Sequence, residues 1–206
     1  MPTTSSKQAF DLWLAQGAAL PGSQSPGHEL LAEHHVMEAV LAAMEVEAET
    51  MLTGGSLRPE FWADVVDFNG NFVHMCHRVK EEEHLIPVLF RTGLLEARQE
   101  QAIREEHRSG KELTLALCEG VGEADWEKVM RLVSIYVHIL RPHMRREETG
   151  IFALAATLPE AAQQDLRRAF AAVDGQALGE RGRRHFVTVA RRLANQNGVG
   201  HDLPAG

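Results

Sequence analysis

The sequence predicts an all-α protein, in which four long helices form an up-down-up-down bundle, preceded by one short helix and followed by two more. Long stretches lack Gly and Pro and carry apolar residues at alternating spacings of four and three, the pattern of helices packed in a bundle. Short segments rich in turn residues separate these stretches. A pattern of His and Glu also occurs twice at a constant offset of 66 residues, which indicates two related helical hairpins.

The N-terminal part is predicted to be a strap packed on the bundle. Residues 5–16 have the pattern of a short amphipathic helix that Gly17 ends, and residues 22–27 are rich in Pro, Gly and Ser. We therefore assign residues 1–27 to a strap helix and its linker. The four-helix bundle is expected at residues 28–158, within one domain, because a chain of 206 residues is long enough for one substantial core.

The first two long helices are predicted at residues 28–53 and 59–91. Gly54 ends the first helix, and Pro59 is tolerated in the first turn of the second. Pro87 is expected to disturb the end of the second helix. The predicted inward residues are Leu30, His34, Met37, Leu41, Met44, Ala48 and Met51 in the first helix, and Ala63, Val66, Gly70, Val73, His77, Glu81, His84 and Val88 in the second.

The third and fourth long helices are predicted at residues 95–119 and 124–157. Two shorter helices at residues 160–173 and 180–195 follow, so that residues 159–206 form a C-terminal helical extension and tail. The predicted inward residues are Ile103, His107, Gly110, Thr114 and Leu117 in the third helix, and Val129, Val133, Tyr136, Leu140, His143, Glu147, Ile151 and Leu154 in the fourth.

Composition favours a cytoplasmic protein with neither a nucleic-acid nor a membrane partner. The hydrophobic content of 44% and the charged content of 24% are those of ordinary globular proteins, and no apolar run could span a bilayer. The first residues lack a secretory signal. A net charge of −8 opposes binding to polyanions, and the Arg-rich segment 181–192 is predicted to be a solvated helix face. Cys76 and Cys118 lack metal-site spacing and are predicted to be free thiols.

The duplicated His and Glu residues predict a metal site. In each copy a His and a Glu four residues later share one helix face, and a further His comes from a neighbouring helix. Two imidazoles and one carboxylate are a ligand set that non-heme ferrous centres favour, whereas Ca²⁺ and Mg²⁺ prefer oxygen ligands. The doubled set predicts a pair of metal ions. The candidate ligands are His34, His77, Glu81, His107, His143 and Glu147.

Burial distinguishes a metal site from ordinary helix-stabilising ion pairs. A single His and Glu four residues apart is more often an exposed pair on a helix surface. Here, however, both pairs lie on inward faces, where a carboxylate without a partner costs on the order of several kcal/mol. Two carboxylates and four imidazoles in one core would be strongly destabilising without cations among them, and this favours metal binding.

Four segments around these residues resemble the hemerythrin-like, or HHE cation-binding, family. They extend over residues 28 to about 158, and the matching segments are Leu31–His35, Cys76–Pro87, Arg104–Gly110 and His143–Phe152. The resemblance implies a non-heme diiron centre with an Fe-O-Fe unit, in which two iron ions are bridged by oxygen and by the carboxylates of Glu81 and Glu147. It also implies the same six ligands and a position open to O₂, NO or peroxide.

The chain lacks one ligand of the family pattern, and the identity of a second ligand has two candidates. Oxygen carriers of the family have a second His four residues after the third-helix His, where this chain has Lys111. One fewer imidazole implies a more open iron pair and favours sensing, redox or iron-handling roles over oxygen transport. The carriers place the last carboxylate five residues after its His, so Glu148 is an alternative to Glu147. His74 could replace the missing imidazole or donate a hydrogen bond to a ligand.

Three functions remain open on the sequence. The first is a diiron protein that binds O₂, NO or peroxide in sensing, scavenging or iron handling. The second is a diiron oxidoreductase of peroxidase, oxidase or NO-reducing type, for which Tyr136, His74 or Glu148 would deliver protons or electrons, with a redox partner of unknown identity. The third is a structural bundle with zinc or no metal, although six converging ligands exceed the four that zinc usually takes.

Overall fold

The computed structural model describes residues 25–55 and 58–199, and these residues form helices joined by short turns, with no strand among them. The all-α prediction is therefore confirmed for this part of the chain. The predicted strap helix at residues 5–16 lies outside the described residues. Within the described ranges, no helix combines the length and the apolar composition that a membrane span requires.

The helices follow one another with few intervening residues. The elements are α1 (Pro26–Leu52), α2 (Pro59–Phe68), the π-helical stretches π1 (Asn69–His77) and π2 (Lys80–Leu85), α3 (Ile86–Arg91), α4 (Ala97–Gly122), α5 (Trp126–Thr149), α6 (Ile151–Ala155), α7 (Glu160–Leu178), a 3₁₀ turn (Gly179–Arg181) and α8 (Gly182–Gln196). The segment from α2 to α3 occupies the place of the predicted second helix. Helices α7 and α8 are the two predicted C-terminal helices, and α7 is five residues longer than expected.

Side-chain caps fix the beginnings of α4 and α5. Before α4, Glu96 and Gln99 form a capping box, in which the Glu96 backbone N–H donates to the Gln99 side chain at 3.0 Å. Before α5, the carboxylate of Asp125 accepts a hydrogen bond from the Lys128 backbone N–H at 3.0 Å. The predicted start of the fourth helix at residue 124 is wrong, because Ala124 has a φ of 54° and so cannot belong to a right-handed helix.

The second helical segment does not keep the α-helical period on which its predicted inward face was based. Hydrogen bonds close turns of i to i−5 at Arg78 and at Ile86, whose N–H groups donate to the carbonyls of residues 73 and 81. Each wider turn shifts the phase of the residues on either side. The prediction is therefore wrong at Ala63, which is exposed, and the predicted inward residues Val66, Gly70, His84 and Val88 are only half-buried. The buried residues of the segment are Phe61, Trp62, Val65, Phe68, Asn69, Phe72, Val73, Cys76, His77, Lys80, Glu81, Leu85, Ile86 and Leu89.

The predicted fourth helix is also interrupted. Gly150 has φ −104° and ψ −99°, outside the helical region, and separates α5 from α6. A Cβ atom at this position would lie 2.7 Å from the carbonyl oxygen of Arg146, so that the turn favours glycine. Pro87, which was expected to disturb the second helix, lies in the first turn of α3, directly after the π-helical stretch π2.

Two apolar clusters form the core, and the polar candidate ligands lie between them along the chain. One cluster contains Trp62, Phe72 and Val133, and the other contains Leu30 and Leu85. On α1, His34 comes between Leu30 of the second cluster and Met37 of the first, and His77 and Glu81 likewise lie between Cys76 of the first cluster and Leu85 of the second. The helices that carry the apolar clusters thereby hold the polar side chains together in the interior.

Helices α7 and α8 pack against the segments that carry candidate ligands. Helix α8 lies along α1, and α7 lies along π1 and π2. Arg181, Arg184 and Arg192 of the Arg-rich segment 181–192 have the predicted solvent exposure, but the prediction is wrong for Arg183, which is buried. Its guanidinium enters a cluster of buried charges. Cys76 is buried and Cys118 is exposed, and both are free thiols, as predicted.

Candidate metal centre

The six side chains predicted as ligands converge between the helices. On one side, the Nε2 atoms of His34 and His77 lie 3.1 Å apart, and Glu81 Oε1 lies 3.2 Å from His77 Nε2. On the other side, Glu147 Oε1 lies 3.1 Å from the Nε2 of His107, and Glu147 Oε2 lies 3.1 Å from the Nε2 of His143. All six residues are buried.

Both carboxylates face both sides of the cluster. The second oxygen of Glu81 lies 3.3 Å from His107 Nε2, and the second oxygen of Glu147 lies 3.5 Å from His34 Nε2. The atoms form two overlapping groups, each with its ligand atoms within 4.8 Å of one another. The first group comprises His34, His77, Glu81 and Glu147, and the second comprises His107, His143 and Glu147.

The two buried carboxylates lack the hydrogen bonds that would satisfy them. Within the described residues, neither oxygen of Glu81 and only one oxygen of Glu147 has a hydrogen-bond partner. Imidazole nitrogens approach them closely, but without hydrogen-bond geometry to these three oxygens. Buried ionised oxygens without partners are strongly unfavourable. The spacing fits a metal instead, since ligand atoms bound at about 2.0–2.2 Å from one ion lie roughly 3 Å apart.

The protonation of the cluster shows how strongly it requires positive charge. Burial opposes the charge of His77, but Glu81 and Glu33 outweigh this and raise the pKa of His77 to about 10. Burial likewise opposes the charge of His107, but hydrogen bonds to Glu147 and Glu82 raise its pKa to about 9. Burial favours neutral Glu81, yet the nearby imidazoles lower its pKa to about 2. Metal ions bound by neutral imidazoles would replace these protons as the compensating charge.

A ring of outer carboxylates holds the four imidazoles in one orientation. Each Nδ1–H donates to a glutamate: His77 to Glu33 at 2.8 Å, His107 to Glu82 at 2.8 Å, His143 to Glu106 at 2.7 Å and His34 to Glu148 at 3.1 Å. These bonds leave every Nε2 directed at the centre of the cluster. Such carboxylate partners fix the tautomer of a metal-binding histidine and raise its basicity.

Sequence reasoning missed the role of Glu33, Glu82 and Glu106 as partners of the imidazoles. The signal was present, because each glutamate adjoins a predicted ligand in the duplicated pattern. The Glu33 to His77 bond corresponds to the Glu106 to His143 bond, and the bond from His107 to Glu82 corresponds to the bond from His34 to Glu148. The sequence alone did not reveal that each glutamate accepts its hydrogen bond from a histidine on a different helix.

The structure distinguishes among the alternative ligands. Glu148 lies behind His34, on the Nδ1 side of the ring, whereas Glu147 faces the cluster. His74 does not join the cluster, because its Nε2 lies 2.8 Å from the hydroxyl of Thr114. His84 likewise belongs to neither group of candidate ligands. The geometry therefore favours Glu147 over Glu148 and supplies no seventh ligand from His74.

A narrow cavity of ≈ 30 Å³ adjoins the cluster. This volume has room for two or three water-sized molecules, since each needs about 10–15 Å³. Its walls include the apolar side chains of Met37, Val73, Leu113 and Leu140, and the hydroxyl-bearing side chain of Tyr136. Burial raises the pKa of Tyr136 to about 12.

Phe152 covers the cluster on the side of α6. Its ring centroid lies 4.8 Å from that of His34 and 6.4 Å from that of His77. This position depends on close contact between α6 and the beginning of α1, where a Cβ atom on Gly27 would lie 2.2 Å from the Phe152 carbonyl oxygen. A glycine at residue 27 thus permits the contact that places an aromatic ring against the imidazoles.

Comparison with known protein families identifies this arrangement. A family model described as the hemerythrin HHE cation binding domain matches residues 25–155, more than half of the chain. The chain belongs to the hemerythrin HHE cation-binding family. All six converging side chains of this hemerythrin-family domain lie within the matched residues. Comparison with curated proteins and with solved structures gives no match.

Proposed function

We propose that this hemerythrin-family protein binds two iron ions in the cluster between its helices. The observation that carries the proposal is the convergence of four imidazoles on two buried carboxylates, three of whose four oxygens lack a hydrogen-bond partner among the described residues. The proposed ligands are His34, His77, Glu81, His107, His143 and Glu147.

The two irons would have two imidazoles each and would share both carboxylates. His34 and His77 would hold one ion, and His107 and His143 the other, because each pair lies at one side of the cluster. Glu81 and Glu147 would bridge, since each carboxylate lies within 3.5 Å of imidazole nitrogens on both sides of the cluster. Glu148 would act through His34 rather than bind metal.

Iron is the metal that the donor set favours. Imidazoles with carboxylates and open coordination positions suit ferrous ions, whereas structural zinc usually closes its coordination with four ligands. Six donors divided between two ions, with two of them shared, leave coordination positions for a further small ligand. The residues of the adjoining cavity would receive that ligand.

The proposed role is binding of or reaction with O₂, NO or peroxide, in sensing, scavenging or iron handling. Iron, when bound, would supply the coordination position and the reducing electrons for such a molecule. The cavity admits only a very small ligand, and its apolar walls at Met37, Val73 and Leu140 exclude bulk water from the iron. The outer glutamates keep the imidazoles oriented while a ligand enters.

An enzymatic role is the second candidate, which the polar side chains of the cavity wall favour. Tyr136 and His74 both line the cavity, and either can exchange a proton with a small ligand there. The role would be that of a diiron oxidoreductase of peroxidase, oxidase or NO-reducing type. Steady-state measurements with peroxide or NO and an excess of reductant test it. Turnover well beyond one equivalent per iron pair supports the enzyme, and consumption that stops at one equivalent excludes it.

Anaerobic titration of the ferrous protein tests the binding role. Addition of NO should give a saturable visible absorption change with an endpoint at or below one NO per iron. A Glu81→Ala variant, treated with the same ferrous salt and freed of unbound metal, should give a much smaller change. An absorption change of equal size in both proteins, or none in either, would contradict the proposal.

We further propose that the four long helical segments form an up-down-up-down bundle over residues 28–158. Residues 1–27 would be its strap and linker, and residues 159–206 its C-terminal extension and tail. The cytoplasmic location and the lack of a nucleic-acid partner stay predictions from composition.

A further inference from the structure

A cluster of buried charges lies behind one histidine of the centre. Lys80 of π2 is fully buried, and its ammonium contacts three carboxylates. The Nζ atom lies 2.5 Å from Glu33 Oε1, 2.7 Å from Asp174 Oδ1 and 3.0 Å from Glu29 Oε1. A lysine can remain charged in the interior only with such partners, and they raise its pKa against the opposing effect of burial.

Helix α8 supplies a second cation to the same carboxylates. The Nη2 atom of Arg183 lies 2.6 Å from Glu29 Oε1 and 3.1 Å from Glu33 Oε1, and it also contacts Asp174. Its side chain is only 8% exposed. We call these five residues, Glu29, Glu33, Lys80, Asp174 and Arg183, the Lys80 cluster. Two of its members, Asp174 and Arg183, come from α7 and α8, which lie outside the residues matched by the family model.

The Lys80 cluster ends at a candidate ligand. Glu33 uses Oε1 for the two cations and Oε2 to accept the hydrogen bond from His77 Nδ1 at 2.8 Å. The charges of α7 and α8 are therefore separated from the imidazole of His77 by one carboxylate. Because the intervening groups are buried, solvent screens these charges little.

The carboxylate in the corresponding position of the other half of the centre has different charged neighbours. Glu106, which matches Glu33 in the duplicated pattern, accepts from His143 Nδ1 at 2.7 Å and from Arg146 Nη2 at 2.7 Å. The Arg146 side chain is 56% exposed, so water and salt screen its charge. The two halves therefore share the imidazole–carboxylate bond and differ in the buried charges behind it.

The Lys80 cluster is not itself a second metal site. Glu33, Cys76 and Asp174 bring ligand atoms close together, but the Lys80 ammonium and the Arg183 guanidinium already contact both carboxylates. The Cys76 thiol donates a hydrogen bond to Asp174 at 3.1 Å, and burial raises its pKa, whereas a metal would require the thiolate. The carboxylates of the Lys80 cluster are therefore paired with side-chain cations and do not require a metal ion.

We propose that α7 and α8 tune one half of the metal centre, with Asp174 and Arg183 as positioning residues that act on His77 through Glu33. This inference rests on the proposed iron centre. A positive charge at Arg183 draws electron density from Glu33 and weakens its hydrogen bond with His77, and the negative charge at Asp174 does the reverse. Arg183 therefore raises the reduction potential of the iron bound by His77, and Asp174 lowers it.

Two substitutions, one that removes a positive charge and one that removes a negative charge, distinguish this electrostatic effect from a general loss of structure. Arg183→Met should lower the midpoint reduction potential of the iron-loaded protein, and Asp174→Asn should raise it. Loosening of the structure alone would shift both variants in the same direction. Arg192→Met is the matched control on α8, because Arg192 is half-exposed and pairs with Asp64, which is not a member of the Lys80 cluster. It should leave the midpoint unchanged.

A second readout does not depend on iron chemistry. In the protein loaded with diamagnetic zinc, or as purified if it holds no metal, the Nδ1 proton of His77 should move downfield in Arg183→Met and upfield in Asp174→Asn, while that of His143 stays in place. If Arg183→Met does not fold, Asp174→Asn and the charge-retaining Arg183→Lys carry the test, and the latter should resemble the wild-type protein.

The outcomes distinguish this inference from the proposed function. Failure of the wild-type protein to bind iron would end the diiron proposal, and the proton shifts would still decide whether Asp174 and Arg183 act on His77. The inference would be overturned if iron binds normally but the midpoint potential and the His77 proton do not shift in the two variants. Shifts equal to those of Arg192→Met, or shifts in the same direction for both variants, would also overturn it.

Discussion

Glu147 on α5 and His107 on α4 lie 3.1 Å apart, measured from Oε1 to Nε2, although 40 residues separate them in the chain. The carboxylate oxygen and the imidazole nitrogen are both buried. The contact lies within the second copy of the duplicated pattern, to which His107, His143 and Glu147 all belong. The two copies are joined by the contacts of Glu81 Oε2 with His107 Nε2 at 3.3 Å and of Glu147 Oε2 with His34 Nε2 at 3.5 Å. It is this kind of crossing that turns two helix-surface motifs into one centre.

Replacing either bridging candidate should lower metal content and thermal stability together. We expect Glu81→Ala and Glu147→Ala to lose most of the bound iron, because each removes a donor to both ions. A 100-fold loss of affinity corresponds to about 2.7 kcal/mol less stabilisation of the folded state by saturating metal. Metal analysis and thermal unfolding measure the two effects. Glu105→Ala, at an exposed position on α4, is the control, and unchanged iron loading in both test variants would refute the bridging assignment.

The outer carboxylates should affect metal affinity without being ligands. Glu106→Gln keeps the size of the side chain but removes the charge that orients His143 and raises its basicity. We expect iron affinity to fall by about 10- to 100-fold, as is typical when the partner of a metal-binding histidine is lost. Competition with a ferrous chelator measures this loss. Glu105→Gln changes the adjacent exposed glutamate and should leave the affinity as it is; equal affinities in all three proteins would count against the orienting role.

Two glycines should respond oppositely to substitution by alanine. Gly110 lies in the middle of α4 beside the cavity, and an added Cβ atom would meet nothing within 4 Å. Gly110→Ala should therefore stabilise the fold by about 0.5–1 kcal/mol, the usual advantage of alanine within a helix. Gly27→Ala should destabilise it, because its Cβ atom would overlap the Phe152 carbonyl. Chemical denaturation of both variants measures the difference, and a stabilised Gly27→Ala protein would show that α1 and α6 are not in contact.

His74 should make the protein less stable in mild acid. Burial, assisted by the cations of Arg78 and Lys111, lowers the pKa of His74 to about 4. Between that value and its ordinary pKa near 6.5 the unfolded chain binds more protons, so the free energy of unfolding falls as the pH falls through this range. The loss amounts to roughly 1.4 kcal/mol for each unit between the two pKa values.

Urea unfolding at pH 7 and pH 5 checks this effect. His74→Gln keeps a group that can bond to Thr114 but cannot titrate, and it should lose less stability between the two pH values than the wild-type protein. His138→Gln, at an exposed position, should retain the wild-type pH dependence. Equal pH dependence in the wild-type protein and His74→Gln would exclude the buried His74 as its source.

The convergence of the six candidate ligands could be predicted from the sequence, because they recur at helical spacing beside apolar residues. His34, His107 and His143 lie on helices of regular period, where such spacing determines the inward face. It was insufficient around Ala63 and His84, since π-helical turns change the period and leave no simple mark in residue type. The burial of Arg183 was also missed, because it depends on carboxylates contributed by α1 and α7, which no local pattern reveals.

The stoichiometry of ferrous ion binding tests the central claim most directly. Equilibrium titration of the metal-free wild-type protein under anaerobic conditions, followed by metal analysis and an ultraviolet-visible spectrum after exposure to air, counts the ions and identifies their bridge. We predict about two irons per chain and the absorption of an oxo-bridged ferric pair. One zinc or no metal per chain, with a featureless spectrum, would contradict it.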